Sequence, residues 1–391
     1  SDLPKGFQIT QQFHPIGSHG HLDIVVDGKT KRIGINRLHM EEDTAKQFHV
    51  GNITRIDFNR AGTPLVEIVS EPDMRSAQEA VTYISELRRT LLYLGVSDVR
   101  MEEGSFRCDV NISLKPEGSA VYGTKVEVKN LNSLGNVQKA IEEEIKRQSE
   151  LLDQHIPVEQ ATRRFDESKQ TTIMMRKKEG AVDYKYFPEP NIPPIQLDPD
   201  WVRGIIAALP ELADQRLQRY LNGYHLSEYD AMIIVNNKEL SDYFDAIAAL
   251  NTEYKTIANW LISEVLSVVD RFETKGFAGV ISPEHFADFI AMITAGDISG
   301  KQAKEVFVKM VDGREPKEIV ATEGMKQQSD PEQIKQWIKD VLDQNPQAIE
   351  DFKNGKDRAV KFIMGQVMKV SKGQANPAMT SDLVLTALKE R

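Results

Sequence analysis

MEEGSFRCDVN, residues 101–111, and GTKVEVKNLN, residues 123–132, both alternate in polarity. In the first, Arg107, Asp109 and Asn111 fall on one side, and Cys108, Val110 and Ile112 on the other. In the second, Lys125, Glu127 and Lys129 oppose Val126 and Val128. Successive side chains on a strand point to opposite faces, so each run reads as a strand with one apolar face. The intervening KPEGSAVYG is rich in turn residues, which predicts an antiparallel pair. With the apolar faces packed inward, Arg107, Asp109 and Asn111 come to lie beside Lys125, Glu127 and Lys129. Such a face is either simply solvated or suited to a divalent ion and phosphates, because that chemistry needs acids for the ion and cations for the phosphate.

Strands extend upstream. GHLDIVVDGKTKRIGINRLHM reads as a hairpin with Asp27-Gly28 at a type I′ turn. ITRIDFNRAGTPLVEIVSEPD reads as a strand pair, or as a strand with a loop at Asn59 to Pro64. A helix follows: Ser76 and Glu79 form a capping box, Ala77 to Leu94 carry an apolar stripe, and Gly95 ends it. A second helix is predicted from about Ser133 to Leu152, with Glu142–Lys146 and Glu143–Arg147 pairs marking an exposed face. The Pro-dense stretch 188–199 reads as a linker, and from Trp201 onward the pattern is helical. ANWLISEVLSVV keeps a 3.6-residue period, and SDPEQIKQWIKDVLDQ is the clearest helix, with Asp330 as N-cap and Pro331 at N1.

At 391 residues the chain is too long for one ordinary core. No run of about 18 apolar residues exists to span a membrane. The single cysteine precludes an internal disulfide and fits a reducing compartment. The net charge of −10 argues against polyanion binding by the chain as a whole. Residues 351–391, however, hold eight Lys or Arg against four Asp or Glu, leaving −14 on the remaining 350 residues. A basic terminal module on an acidic body fits either nucleic-acid contact or a solvated helix surface. The chain opens at Ser1 without Met and with no signal-like layout, and its start reads as cut.

Acidic residues recur near the strands: Glu41, Glu42 and Asp43, then Glu67, then Glu102, Glu103, Asp109 and Glu127. Carboxylates from separate strands on one sheet face can converge on a hard cation. Asn59 and Arg60, before a Gly-Thr-Pro turn, read either as phosphate contacts or as a turn-stabilising Asn with an exposed Arg. His39 shares a strand side with Arg37 and Glu41 and reads as a surface histidine. GSAVYGTK (118–125) and GDISGK (296–301) lack the order, spacing and strand–helix setting of a phosphate loop. No nucleophile motif or zinc signature is present, and Cys108, on the apolar strand side, reads as inert core. Near the C-terminus, Lys369, Ser371, Lys372, Gly373, Gln374, Asn376 and Pro377 form a polar turn after an apolar helix. Its backbone amides suit RNA phosphates, and it equally fits an ordinary helix C-cap.

Seven motifs in order make the combination specific: RLHMEED (37–43), NRAGTPLVEIVSEPD (59–73), MEEGSFRCDVNIS (101–113), KVEVKNLNS (125–133), RRFDES (163–168), DYKYFPEPN (183–191) and GQVMKVSKGQANP (365–377). Over essentially its whole length the chain resembles the GatB family, the B-type subunits of the heterotrimeric aspartyl/glutamyl-tRNA amidotransferases. That family begins with a Gly-Leu-Glu-Val-His strand whose Glu and His belong to its metal site. The strand and several tens of residues after it are absent here, so the chain resembles the family minus part of its catalytic floor.

The resemblance implies an α+β fold: an antiparallel-sheet catalytic cradle like that of glutamine synthetase over residues 1–200, a helical domain over 201–314 and a YqeY-like tRNA-binding tail over 315–391. It implies ATP-dependent phosphorylation of the side-chain carboxylate of Glu or Asp esterified to tRNA. Ammonia delivered by a separate amidase subunit then displaces phosphate, and a third, small subunit holds the assembly together in the cytoplasm. Motif matching assigns Mg²⁺ to Glu41 or Glu42, Glu67, Asp109 and Glu127, with register favouring Glu41. Asp109, Glu127, Arg107 and Lys129 are the expected catalytic residues, and Asn59, Arg60 and Lys125 contact ATP phosphates. Arg176 and the Tyr184–Pro188 segment line the acceptor-end path, and Lys369, Lys372, Gln374 and Asn376 bind the tRNA body.

Overall fold

Asp27 and Gly28 both take positive φ, 51° and 72°, and turn β1 (Gly17–Val26) into β2 (Lys29–Glu42) through a two-residue loop, as the sequence predicts. The computed structural model describes residues 3–4, 6, 11, 13–177, 190–325, 330–353, 358–371 and 373–390. They fall into two compact units, residues 1–212 and 213–391.

In the first unit, the run from Ile53 to Ser70 does not pair with itself. β4 (Ile53–Asp57) closes a separate two-stranded hairpin with β3 (Lys46–Val50), whereas β5 (Pro64–Ser70) adds to β2, giving the antiparallel order β1-β2-β5. The reason is local. Val50 faces Ile53 across a Gly51 at φ 59°, so β4 meets β3 first. The neck of that hairpin is pinned where Asp43 N donates to Thr63 O (2.8 Å) and Gly62 N donates to Asp43 O (2.9 Å).

α1 (Ala77–Leu94) starts at Ser76, whose hydroxyl accepts from Glu79 N, and stops at Gly95 with φ 71°. The return half of the expected capping box goes elsewhere: the Glu79 carboxylate accepts from Arg75 N (2.6 Å) and Lys31 Nζ (2.7 Å). The two strands that open the sequence reading are β6 (Cys108–Ile112) and β7 (Val126–Leu131), antiparallel as expected. α2 (Leu134–Asp153) then crosses to β8 (Ala161–Asp166), which runs parallel to β7, and β9 (Thr171–Lys177) completes the order β6-β7-β8-β9.

One core serves both sheets. Ile24 and Ile33 from the first, Val128, Leu131 and Phe165 from the second, Tyr83 and Ile84 of α1, and Val137, Ala140 and Ile141 of α2 are buried together. Glu144 of α2 is also buried, correcting the expectation of a purely exposed charged face. It accepts two bonds from Arg147 (2.9 and 2.8 Å), lies 3.0 Å from Arg163 Nε, and accepts from Gln148 and Thr172. The predicted Glu143–Arg147 pair is therefore replaced, and Glu143 instead accepts from the Thr171 hydroxyl at 2.9 Å.

The second unit is helical. Tyr254–Trp260 is α-helical as expected, but the chain widens to a π-turn over Leu261–Val265 and tightens to 3₁₀ over Leu266–Arg271, so the predicted uninterrupted helix is not formed. GDISGK lies between two helices, with Ser299 capping Gly300–Val311. The last four described helices, Pro331–Gln344, Pro346–Lys353, Arg358–Val370 and Pro377–Glu390, gather Ile334, Ile338, Val341, Leu342, Ile363, Val367, Val384 and Leu388 into a core of their own. Together the units make an α+β protein whose sheets are largely antiparallel. No helix among the described residues is long and apolar enough to cross a membrane.

Candidate active site

β2 and β5 build the first half of the site. An extra residue in β2 between Ile35 and Arg37 breaks the register with β5, and a bulge of this kind advances the alternation by one. Arg37, His39 and Glu41 thereby leave the side on which Ile33 enters the core. His39 stands directly across from Glu67. Its Nε2 is 3.1 Å from Glu41 Oε1 and 4.0 Å from Glu67 Oε2, and all three ligand atoms lie within 4.8 Å of one another. His39 is only 3% exposed, which corrects its reading as a surface histidine. Its Nδ1 is also buried and has no hydrogen-bond partner among the described residues.

Burial, and then the negative charge of Glu41, hold the Glu67 carboxyl above the usual range. Two crowded carboxylates beside a buried imidazole form a donor set that fits a divalent cation, whose charge relieves their repulsion. Glu41, not Glu42, belongs to this cluster, in line with strand register.

The second half lies on β6 and β7 and the residues flanking them. Asp109 and Glu127 are not part of the histidine cluster. They converge instead on a cation of their own sheet. Lys129 Nζ is 2.5 Å from Asp109 Oδ2 and 3.4 Å from Glu127 Oε1, and Glu127 Oε2 accepts from the Thr162 hydroxyl at 3.0 Å. Partial burial pulls the Lys129 ammonium down, but the bonds and charges of Asp109 and Glu127 outweigh it and leave its pKa above the ordinary lysine value. A register shift between Cys108 and Val110 accompanies this arrangement. Cys108 is inert: burial, with the Asp109 charge, pushes its thiol up to about 12.

A buried aspartate links the halves. Asp43 Oδ2 accepts from Arg107 Nη2 at 2.7 Å and Asp43 Oδ1 lies 3.9 Å from Arg60 Nε, which itself donates to Thr44 O at 2.9 Å. The Asp43 backbone is fixed by Gly62 and Thr63 at the hairpin neck, so both guanidiniums hang from one rigid post. In the sequence Asp43 is only one acid in a run. What distinguishes it is a partner 64 residues away, which alternation does not reveal. Asn59 N donates to Asp57 Oδ1 in the same turn. Lys125 is exposed, with no ion pair among the described residues. Arg176 lies on β9 across from Thr162, and Tyr184–Pro188 falls outside the described residues.

The C-terminal turn is an ordinary helix end. Gly373 takes φ 80°, and its N–H donates to Met368 O. Ser371 N and Gln374 N donate to Val367 O and Ser371 O, and Ala375 N donates to the Ser371 hydroxyl. The amides expected to face phosphate are thus satisfied internally. Gln374 Nε2 donates to Gly324 O at 3.1 Å, and Asn376 Oδ1 accepts from Met379 N, capping Pro377–Glu390. Lys369 is exposed, and Lys372 lies outside the described residues.

Fold and site define an α+β protein with a carboxylate–histidine cation site flanked by anchored guanidiniums. A family model described as the GatB/GatE catalytic domain matches residues 1–203, and one described as the GatB domain matches residues 242–388. The chain is 49% identical over 391 residues to the B-type subunit of the aspartyl/glutamyl-tRNA(Asn/Gln) amidotransferase of Macrococcus caseolyticus, covering all of this chain and 82% of that protein. It is 48% identical to the proteins of the same name from Levilactobacillus brevis and Oceanobacillus iheyensis, again covering 82% of each. The chain belongs to the GatB family.

Proposed function

We propose that the chain is the tRNA-transforming subunit of an amidotransferase, converting Glu or Asp esterified to tRNA into Gln or Asn. Its relatives carry that name, and the observation that supports the chemistry is the gathering of His39, Glu41 and Glu67 beside guanidiniums anchored on Asp43. A side-chain carboxylate is a poor acyl donor because its leaving group would be oxide. Transfer of the γ-phosphoryl of ATP to the carboxylate oxygen, with ADP departing, supplies a phosphate leaving group. Ammonia then attacks the acyl carbon, the C–O bond to phosphate breaks, and a proton leaves the nitrogen. Such transfers depend on positioning and charge neutralisation rather than on a protein nucleophile. That requirement agrees with a site whose one cysteine has its thiol pushed up by burial.

In this reading His39, Glu41 and Glu67 hold Mg²⁺, which neutralises phosphate charge when bound. Arg60, Arg107 and Lys125, with Asn59 in the adjoining turn, bind phosphate oxygens. Asp109 and Glu127, held against Lys129, receive the proton shed by ammonia. Ammonia arrives from a separate amidase subunit, with a third, small subunit in the assembly. Lys369 and Lys372 of the basic tail attract the tRNA body. Gln374 and Asn376 support that surface structurally, through the bonds they already make.

The test is conversion of Glu-tRNA(Gln) or Asp-tRNA(Asn) by the assembled enzyme with ATP and Mg²⁺. Glu41→Gln and Glu67→Gln should each lower conversion by at least about 100-fold, as expected when a carboxylate ligand is lost. They should also weaken Mn²⁺ binding, read by electron paramagnetic resonance. Unchanged conversion and Mn²⁺ binding in both variants would remove these residues from the site.

A further inference from the structure

The β3–β4 hairpin is exposed along nearly its whole length, on both faces. A two-stranded hairpin without a covered face is marginal in water, so its surface calls for an occupant. One face carries Lys46, Phe48 and Val50 on β3 opposite Asp57, Arg55 and Ile53 on β4. Lys46 Nζ lies 4.9 Å from the Phe48 ring centroid, and Phe48 remains 42% exposed. Among the described residues neither Lys46 nor Arg55 makes an ion pair, although the chain as a whole carries −10. Asp57, the one acid on this face, accepts from Asn59 N toward the neck, and Val50 and Ile53 form an apolar tip.

Position adds to chemistry. The hairpin grows out of the chain between Glu41 and Glu67, and its neck is the Asp43 that holds Arg107 and approaches Arg60. It is the lip of the candidate site. An aromatic ring flanked by two uncommitted cations, at the edge of a site that accepts the end of an RNA, has the make-up of a single-strand platform: bases stack on the ring and phosphates meet the cations. We propose that this hairpin binds the unpaired 3′ end of the RNA substrate and guides it to the site. The inference rests on the function proposed above.

The test is fluorescence anisotropy with the full chain and two labelled tRNA transcripts, one with its single-stranded 3′ end and one trimmed back to the last base pair, at fixed salt. The wild type should favour the intact transcript. Phe48→Ala and Arg55→Glu should each weaken that binding roughly tenfold, the scale of one lost base stack, and leave the trimmed transcript unaffected. Phe48→Trp should keep the preference. Circular dichroism melts should not move, because the hairpin lies outside the shared core. Equal loss for both transcripts, or no loss for either, overturns the proposal. So does a Phe48→Ala chain that keeps its preference but no longer assembles with its partner proteins, since the hairpin would then be a protein interface. A wild type that binds both transcripts equally sinks this inference alone, whereas one that binds neither sinks the proposed function as well.

Discussion

Asp43 is the residue on which the cationic side of the site depends. It is buried, its backbone is fixed at both N–H and C=O, and its two carboxylate oxygens face different guanidiniums. Asp43→Asn keeps the shape but loses the charge that aligns Arg107. Turnover should fall about tenfold, equivalent to about 1.4 kcal/mol in the barrier, with the melting temperature little changed. Steady-state kinetics against ATP check this, and an unaltered kcat would mean that Arg107 needs no such anchor. His39 illustrates how far sequence reaches at this scale. Alternation places it correctly with Arg37 and Glu41, but its burial depends on a pairing with β5 and a bulge in β2, neither of which a local pattern contains.

At the scale of elements, α2 holds the lesson. Glu142, Glu143 and Glu144 look alike in sequence, yet only Glu144 continues the helical stripe of Val137, Ala140 and Ile141, a phase that Gln148 also keeps. That phase is a legible sign of burial, masked by i,i+4 charge pairs, which normally mark a wet face. Glu144 ties α2 to β8 and β9 through Arg163 and Thr172. Glu144→Gln should cost about 3 kcal/mol or more, because two guanidiniums lose their counter-charge, and chemical denaturation measures it. Although burial opposes it, bonding to Arg147, Thr172 and Gln148 holds the Glu144 carboxyl below its usual range. A depressed folded pKa means that this stability is fully present above the unfolded value of about 4.3 and is lost as pH falls through the folded one. Acid unfolding of the wild type should therefore steepen below about pH 4, and the Gln variant should lack that component.

The C-terminal helix gives a parallel case. The KG…NP run reads equally well as an RNA contact or a cap, and hydrogen bonding decides its local role as a cap. Asn376→Ala should cost about 1 kcal/mol in thermal stability, with tRNA affinity unchanged. Helix starts at Ser76, Ser133 and Asp330 are readable because a cap is settled within four residues. The partner of β5 is not, because it is chosen by the closure of an intervening hairpin.

For the whole molecule, charge is distributed against its own average. An acidic body of −14 ends in a segment of +4, so any RNA held by the tail must be held locally. If Lys369 and Lys372 each contact a phosphate, replacing both with Glu should lower the slope of log affinity against log salt by about two. Titrations at several salt concentrations read this directly, and an unmoved slope would take the tail out of the RNA interface.

The two sheets share a further property. β2, which carries His39 and Glu41, is flanked by β1 and β5, and β7, which carries Glu127 and Lys129, is flanked by β6 and β8. The reactive groups on these strands therefore stand on backbone laced from both margins, where amide protons exchange with solvent most slowly. Their geometry is set at folding, before any substrate arrives, and ordering them adds nothing to the barrier of each turnover.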